Sequence, residues 1–153
     1  MSKGFYYSRI SYNEGQIVHY NDEISQKRQI ISNLESLSQS IYTSEEKASE
    51  DFEARYSNYE KMSCSRSRRI VSMSTSLNAN LNSVASDVGS TFSGIKKAIL
   101  SKIEKCEDDI RCYEQSIASC EGDISYCREQ IRLIEEREEE EKRERERQNQ
   151  CLI

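Results

Sequence analysis

The chain has no proline and no tryptophan, and only five glycines and one histidine among its 153 residues. Without proline, nothing compels a helix to break. Apolar runs are only a few residues long, as at Ile30-Ile31, and a membrane-spanning helix needs about 20, so membrane insertion is not expected. The opening stretch MSKGFYYSRISYNEG lacks the apolar core of a cleaved secretion signal. The final Cys-Leu-Ile is one residue short of a prenylation box. These features point to a cytoplasmic protein, or to one exported without a cleaved signal peptide. Hydrophobic residues make up 35% of the chain, low for a globule but sufficient for a thin core shared by long helices. The net charge of −5 gives no reason to expect polyanion binding.

What the chain does have is a seven-residue rhythm. In IEKCEDDIRCYEQSIASCEGDISYCREQIRLI, residues 103–134, Ile103, Ile110, Ile117, Ile124 and Ile131 recur by sevens. Three residues after each stand Cys106, Tyr113, Cys120, Cys127 and Ile134. An a/d pattern held for five heptads, with charge elsewhere, predicts an amphipathic helix and a partner helix to cover it. The N-terminal segment carries a matching ladder of Ile10, Ile17, Ile24 and Ile31, continued by Leu34, Leu37, Ile41, Ala48, Phe52, Tyr56, Tyr59 and Met62. Asn13 and Lys27 interrupt it at d positions, a device that fixes register at some cost in stability.

Facing the two ladders within one chain predicts an all-α fold: an elongated antiparallel helical hairpin or coiled coil with a central Ser-rich turn. The expected layout is a single hairpin over residues 1–153, with helix A at about 6–63, a turn at about 64–74 and helix B at about 75–146. Ten serines fall between residues 63 and 93, and serine favours caps and turns over helix interiors. The apolar spacing Ile70, Met73, Leu77, Leu81, Val84, Val88, Phe92, Ile95, Ile99 extends the second seam toward the turn. Gly89 and Gly94 each cost about 1 kcal/mol inside a helix, so residues 89–94 read as a kink or close-packing point, with a full break as the alternative.

Chemistry is sparse. No C-x-x-C spacing occurs, and Cys120 and Cys127 stand about 10 Å apart along a helix, too far for one metal ion or an intrahelical disulfide. Cys106, Cys120 and Cys127 therefore read as small apolar fillers of the seam, while Cys64, Cys112 and Cys151 lie off it. His19, two residues past Ile17, is expected to face solvent. No phosphate loop, nucleophile elbow or zinc-binding helix motif is present, so no catalytic, metal or cofactor-binding residue is assigned, no cofactor is expected, and the chain does not read as an enzyme. Residues 63–102 hold six basic side chains and one acidic, and residues 103–153 hold nine basic and sixteen acidic. The basic cluster SRSRR (65–69) has no interleaved aromatic residue to stack on bases, so nucleic acid is not an expected partner. The tail EEREEEEKRERERQ, 135–148, has no apolar face and pairs its charges at i and i+4.

The segments ISQKRQIISNLESL (24–37) and CYEQSIASCEGDISYCREQI (112–131), set around a Ser-rich centre, resemble the YwqH-like small helical proteins. Those proteins accompany toxins with an LXG domain and belong with the WXG-type hairpins of type VII secretion. The resemblance implies a non-enzymatic targeting adaptor that binds the helical leader of an LXG-type toxin. Phe92-Ser93-Gly94 would stand for the aromatic-x-Gly element, since the chain has no tryptophan. The Tyr-x-x-x-acid spacing of such export signals occurs at Tyr42–Glu46 and Tyr56–Glu60. The competing reading is a structural coiled-coil scaffold or phage structural subunit that self-associates. In either case the expected partner is a helical protein, a toxin leader or second small helical protein in the first reading and another copy of the chain in the second.

Overall fold

The structure is a computed structural model that describes residues 2–150, with the side chains of residues 2–149. Two α-helices account for nearly all of it: α1, Lys3–Ser63, and α2, Arg68–Gln150. They pack against each other as a helical hairpin, with no strand among the described residues. Cys151 lies outside the described residues.

The turn is four residues long, 64–67, in place of the eleven expected at 64–74. Its closure explains the economy. Ser63 Oγ and Cys64 Sγ both donate to Glu60 O, at 2.6 and 3.7 Å, and Ser65 N donates to Met62 O at 3.1 Å. Two of the last carbonyls of α1, those of Glu60 and Met62, are thereby satisfied. Ser67 then starts α2, accepting the first bond from Val71 N at 3.1 Å. The remaining serines and threonines do not break the helix, and two of the threonines turn their hydroxyls back on it. Thr75 donates to Val71 O and Thr91 to Asp87 O, at 3.1 and 2.9 Å, the back-bonding that lets these residues sit inside a helix.

Residues 89–94 hold neither a break nor a close approach. The helix runs through them, no glycine has a positive φ, and a Cβ built on Gly89 or Gly94 would meet nothing within 4 Å. Phe92-Ser93-Gly94 thus lies inside α2 and away from the turn.

Contacts group the chain into two compact units: the described part of Met1–Lys27 with Glu107–Ile153, and Arg28–Cys106. The first unit is built on the regular isoleucine ladders. Tyr6, Cys127 and Ile131 form a buried cluster with Ile10 and Ile134 packed against it, Ile24 and Ile124 are buried, and the rings of Tyr20 and Tyr113 stack at 5.8 Å.

The second unit departs from strict heptads. Its inward positions on α1 are Ile41, Glu45, Ala48, Phe52, Tyr56 and Tyr59; on α2 they include Leu81, Ala85, Val88, Phe92, Lys96 and Ile99. Spacings of three and four alternate except at 48–52–56 and 88–92–96, where two fours follow each other. Such a four-residue insertion is a stutter, which locally unwinds a left-handed supercoil. Both stutters meet at one place, since Ala48, Phe52, Tyr56, Val88 and Phe92 line a common recess of about 310 Å³.

Candidate functional site: the helix seam and its uncovered flank

None of the seventeen seam residues expected from the ladders is exposed. Ile24, Cys106, Ile124, Cys127 and Ile131 are buried. Ile10, Ile17, Ile31, Leu34, Ile41, Phe52, Ile103, Ile110, Tyr113, Ile117, Cys120 and Ile134 are half-buried. The thiols behave as packing groups: Cys106 is 1% exposed and Cys127 0%, values reached only where neighbours close completely over a side chain. Cys64 and Cys112 are exposed free thiols. Among the described residues no three His, Cys, Asp or Glu side chains gather as a metal site. His19 faces solvent, its ring 5.7 Å from that of Tyr20.

Polar side chains interrupt both seams, and each unit handles them in its own way. In the first unit, Asn13 is buried, and its Nδ2 finds no hydrogen-bond partner among the described residues. Lys27, the other polar d residue, donates to Asp109 Oδ2 at 2.7 Å. Rim pairs flank this seam on both sides: Arg9 with Asp123 at 2.9 Å, Glu14 with Arg128 at 3.6 Å. Arg9 and Glu14 sit at g and e of the α1 heptads, and in an antiparallel pair g meets g and e meets e. Lys3 bonds Glu138 at 2.6 Å and lies 3.6 Å from Glu135. The hydrogen bond to Glu138 raises the Lys3 pKa, and the bond to Asp123 raises that of Arg9. Along α2, Arg132 bonds Glu129 and Glu136, which holds the Glu129 carboxyl below its usual range and raises Arg132.

In the second unit, Lys96 Nζ grips both carboxylate oxygens of Glu45, at 2.9 and 2.7 Å. The same ammonium lies 5.0 Å from the Tyr42 ring centroid, within cation–π range. The Tyr56 hydroxyl donates to Asn82 Oδ1. Nearest the turn, Ser74 is 1% exposed and donates to the Tyr59 carbonyl at 2.6 Å. Neither Ser74 nor the Glu45–Lys96 pair was legible as seam in the apolar pattern. Counting sevens from Ile31 through Ser38 does reach Glu45, and counting back from Ile103 reaches Lys96.

The face that α2 turns toward α1 between residues 70 and 95 is the main correction to the sequence reading. The expected seam residues Ile70, Met73, Val84 and Ile95 are exposed, Met73 by 59% and Val84 by 51%. Val71, Ser74, Asn78 and Ala85 turn inward instead. The physical reason is close approach: a 2.6 Å bond from Ser74 to a backbone carbonyl of α1 needs a small side chain between the helices, which a row of Ile and Met would prevent. The large apolar residues are left on the flank. On α1, Leu37, expected in the stripe, and its neighbour Ile30 are also exposed. They occupy g positions, the same side of the seam as Ile95.

No family model matches the chain, and no curated protein or solved structure does. Among the described residues no helix is long and apolar enough to cross a membrane.

Proposed function

We propose that the protein is a non-enzymatic helical partner that binds another helix, and that its partner is the helical leader of an LXG-type toxin destined for type VII secretion. The observation that carries the binding role is the uncovered apolar flank of the second unit. Two helices already cover each other's seam, yet Ile70, Met73, Val84 and Ile95 still face water. Scattered surface hydrophobics are ordinary, but an aligned row on one face marks an interaction surface. The described residues offer helix surface with shallow recesses such as the one at Phe52 and Phe92, features suited to packing a helix and poorly suited to enclosing a reaction. The choice of a toxin leader comes from the resemblance of segments 24–37 and 112–131 to the YwqH-like proteins.

The test is co-expression with the leader of an LXG toxin encoded next to this protein. The expected result is a stoichiometric complex that survives size exclusion, from a chain that alone tends to aggregate. A purified chain that forms a stable homo-oligomer by light scattering and ignores the leader would establish the scaffold reading instead.

A further inference from the structure

Ile70, Met73, Leu77, Val84 and Ile95 fall within an arc of roughly 60° on a helix that turns about 100° per residue. The row lies in a segment unlike the rest of the chain. From Ile70 to Ile95, Asp87 is the single charged residue. Depletion of charge beneath an exposed apolar row is the compositional mark of an interface core. Charges return at its limits. Arg69 borders the row at one end and Lys102 continues it at the other, with Asp87 bordering it near the middle. None of the three makes an ion pair among the described residues.

We infer that this face of α2 docks an amphipathic helix of a different protein, one that carries acidic residues at both ends of its apolar stripe and a basic residue near the centre. This rests on the reading of the protein as a binding partner and names the surface and the charge pattern it selects. The order cation, anion, cation over 33 residues, about 50 Å of helix, discriminates against a second copy of itself. Packed parallel, the face would set Arg69, Asp87 and Lys102 each against its own kind. Packed antiparallel, it would set Arg69 against Lys102. Both two-fold arrangements bring like charges together, a known way of excluding homotypic helix pairing. A helix of the complementary order meets three opposite charges in register.

Two synthetic helical peptides test this against the full-length protein by fluorescence anisotropy. Both carry the same apolar heptads; one has Glu at each end and Lys at the centre, and the other has every charge reversed. The expected result is about tenfold tighter binding of the acid-ended peptide, from three exposed pairs changing sign. The preference should invert in the double variant Arg69→Glu, Lys102→Glu, and binding should fall at least about tenfold in Val84→Glu. Unchanged helicity by circular dichroism shows that these surface variants are folded. Equal binding of the two peptides, binding by neither, or binding indifferent to Val84→Glu overturns the assignment. So does a homodimer in light scattering that Val84→Glu dissolves. A toxin leader captured equally well by wild type and Val84→Glu ends the assignment of this face but keeps the adaptor reading. A leader that fails to bind where the acid-ended peptide succeeds does the opposite.

Discussion

The two compact units are made by the same pair of helices and solve the covering problem differently. In the first, isoleucine and cysteine alternate along the seam, and charged pairs such as Arg9–Asp123 and Glu14–Arg128 line its rims. Charged residues account for 25 of the 45 positions from 103 to 147, so almost everything apolar in α2 there is on the inward stripe. In the second unit, the small and polar residues Ser74, Asn78 and Ala85 share the seam with Leu81, Val88, Phe92 and Ile99, and Ile70, Met73, Val84 and Ile95 lie on the outside. The comparison teaches that a seam can be closed without using every large apolar residue available. The leftover residues are then free for a partner.

Replacement of a buried ladder residue tests that contrast most severely. Ile124→Ala is expected to cost about 2–5 kcal/mol, the range for truncating a buried aliphatic side chain, whereas Val84→Ala, on the exposed flank, should stay within about 0.5 kcal/mol. Urea melts followed by circular dichroism check both, and equal effects would remove the distinction between covered and uncovered stripes. Next in size is Lys96→Met, which leaves the Glu45 carboxylate half-buried without its bidentate donor; the expected loss is about 1–3 kcal/mol. The double variant Lys96→Met, Glu45→Leu should recover much of that loss in a double-mutant cycle.

Gly94→Ala should have the opposite sign. Its helical backbone and the open space around a built Cβ give a gain of about 0.5–1 kcal/mol, read as a higher melting midpoint. A loss there would restore the close-packing interpretation of residues 89–94. The smallest effect belongs to the exposed ion pairs of the first unit. Glu129 has its pKa lowered by the Arg132 hydrogen bond, so its contribution is present above the ordinary carboxylate range and fades as pH falls through the lowered value. Lys3 is raised by Glu138, so its contribution is present below the ordinary lysine range and fades as pH rises through the raised value. Between these limits the two pairs impose no pH dependence of their own. Arg132→Gln should leave the neutral-pH midpoint nearly unchanged and soften only the acid limb.

Much of the fold was legible because its signal is periodic and local. Five isoleucines spaced by seven from Ile103 to Ile131 require a helix and a cover, and the mirrored ladder from Ile10 to Ile31 names the cover. The inward cysteines were legible for the same reason, since Cys106, Cys120 and Cys127 keep the d register. The turn is shorter than its serine content suggests because α2 runs through the serines of residues 68–93, where Thr75 and Thr91 bond back to the helix and Ser74 bonds across to α1.

By itself the sequence determined an all-α hairpin, since a heptad repeat dictates both helix and apolar face. Only the tertiary structure decided which side of α2 meets α1 between residues 70 and 95. In that segment the large apolar residues spread over an arc of roughly 160°, wider than the stripe one partner helix needs, so hydrophobic period cannot choose a face. The choice falls to how closely two backbones can approach, which a bond such as Ser74 to the Tyr59 carbonyl settles and a one-dimensional pattern does not contain.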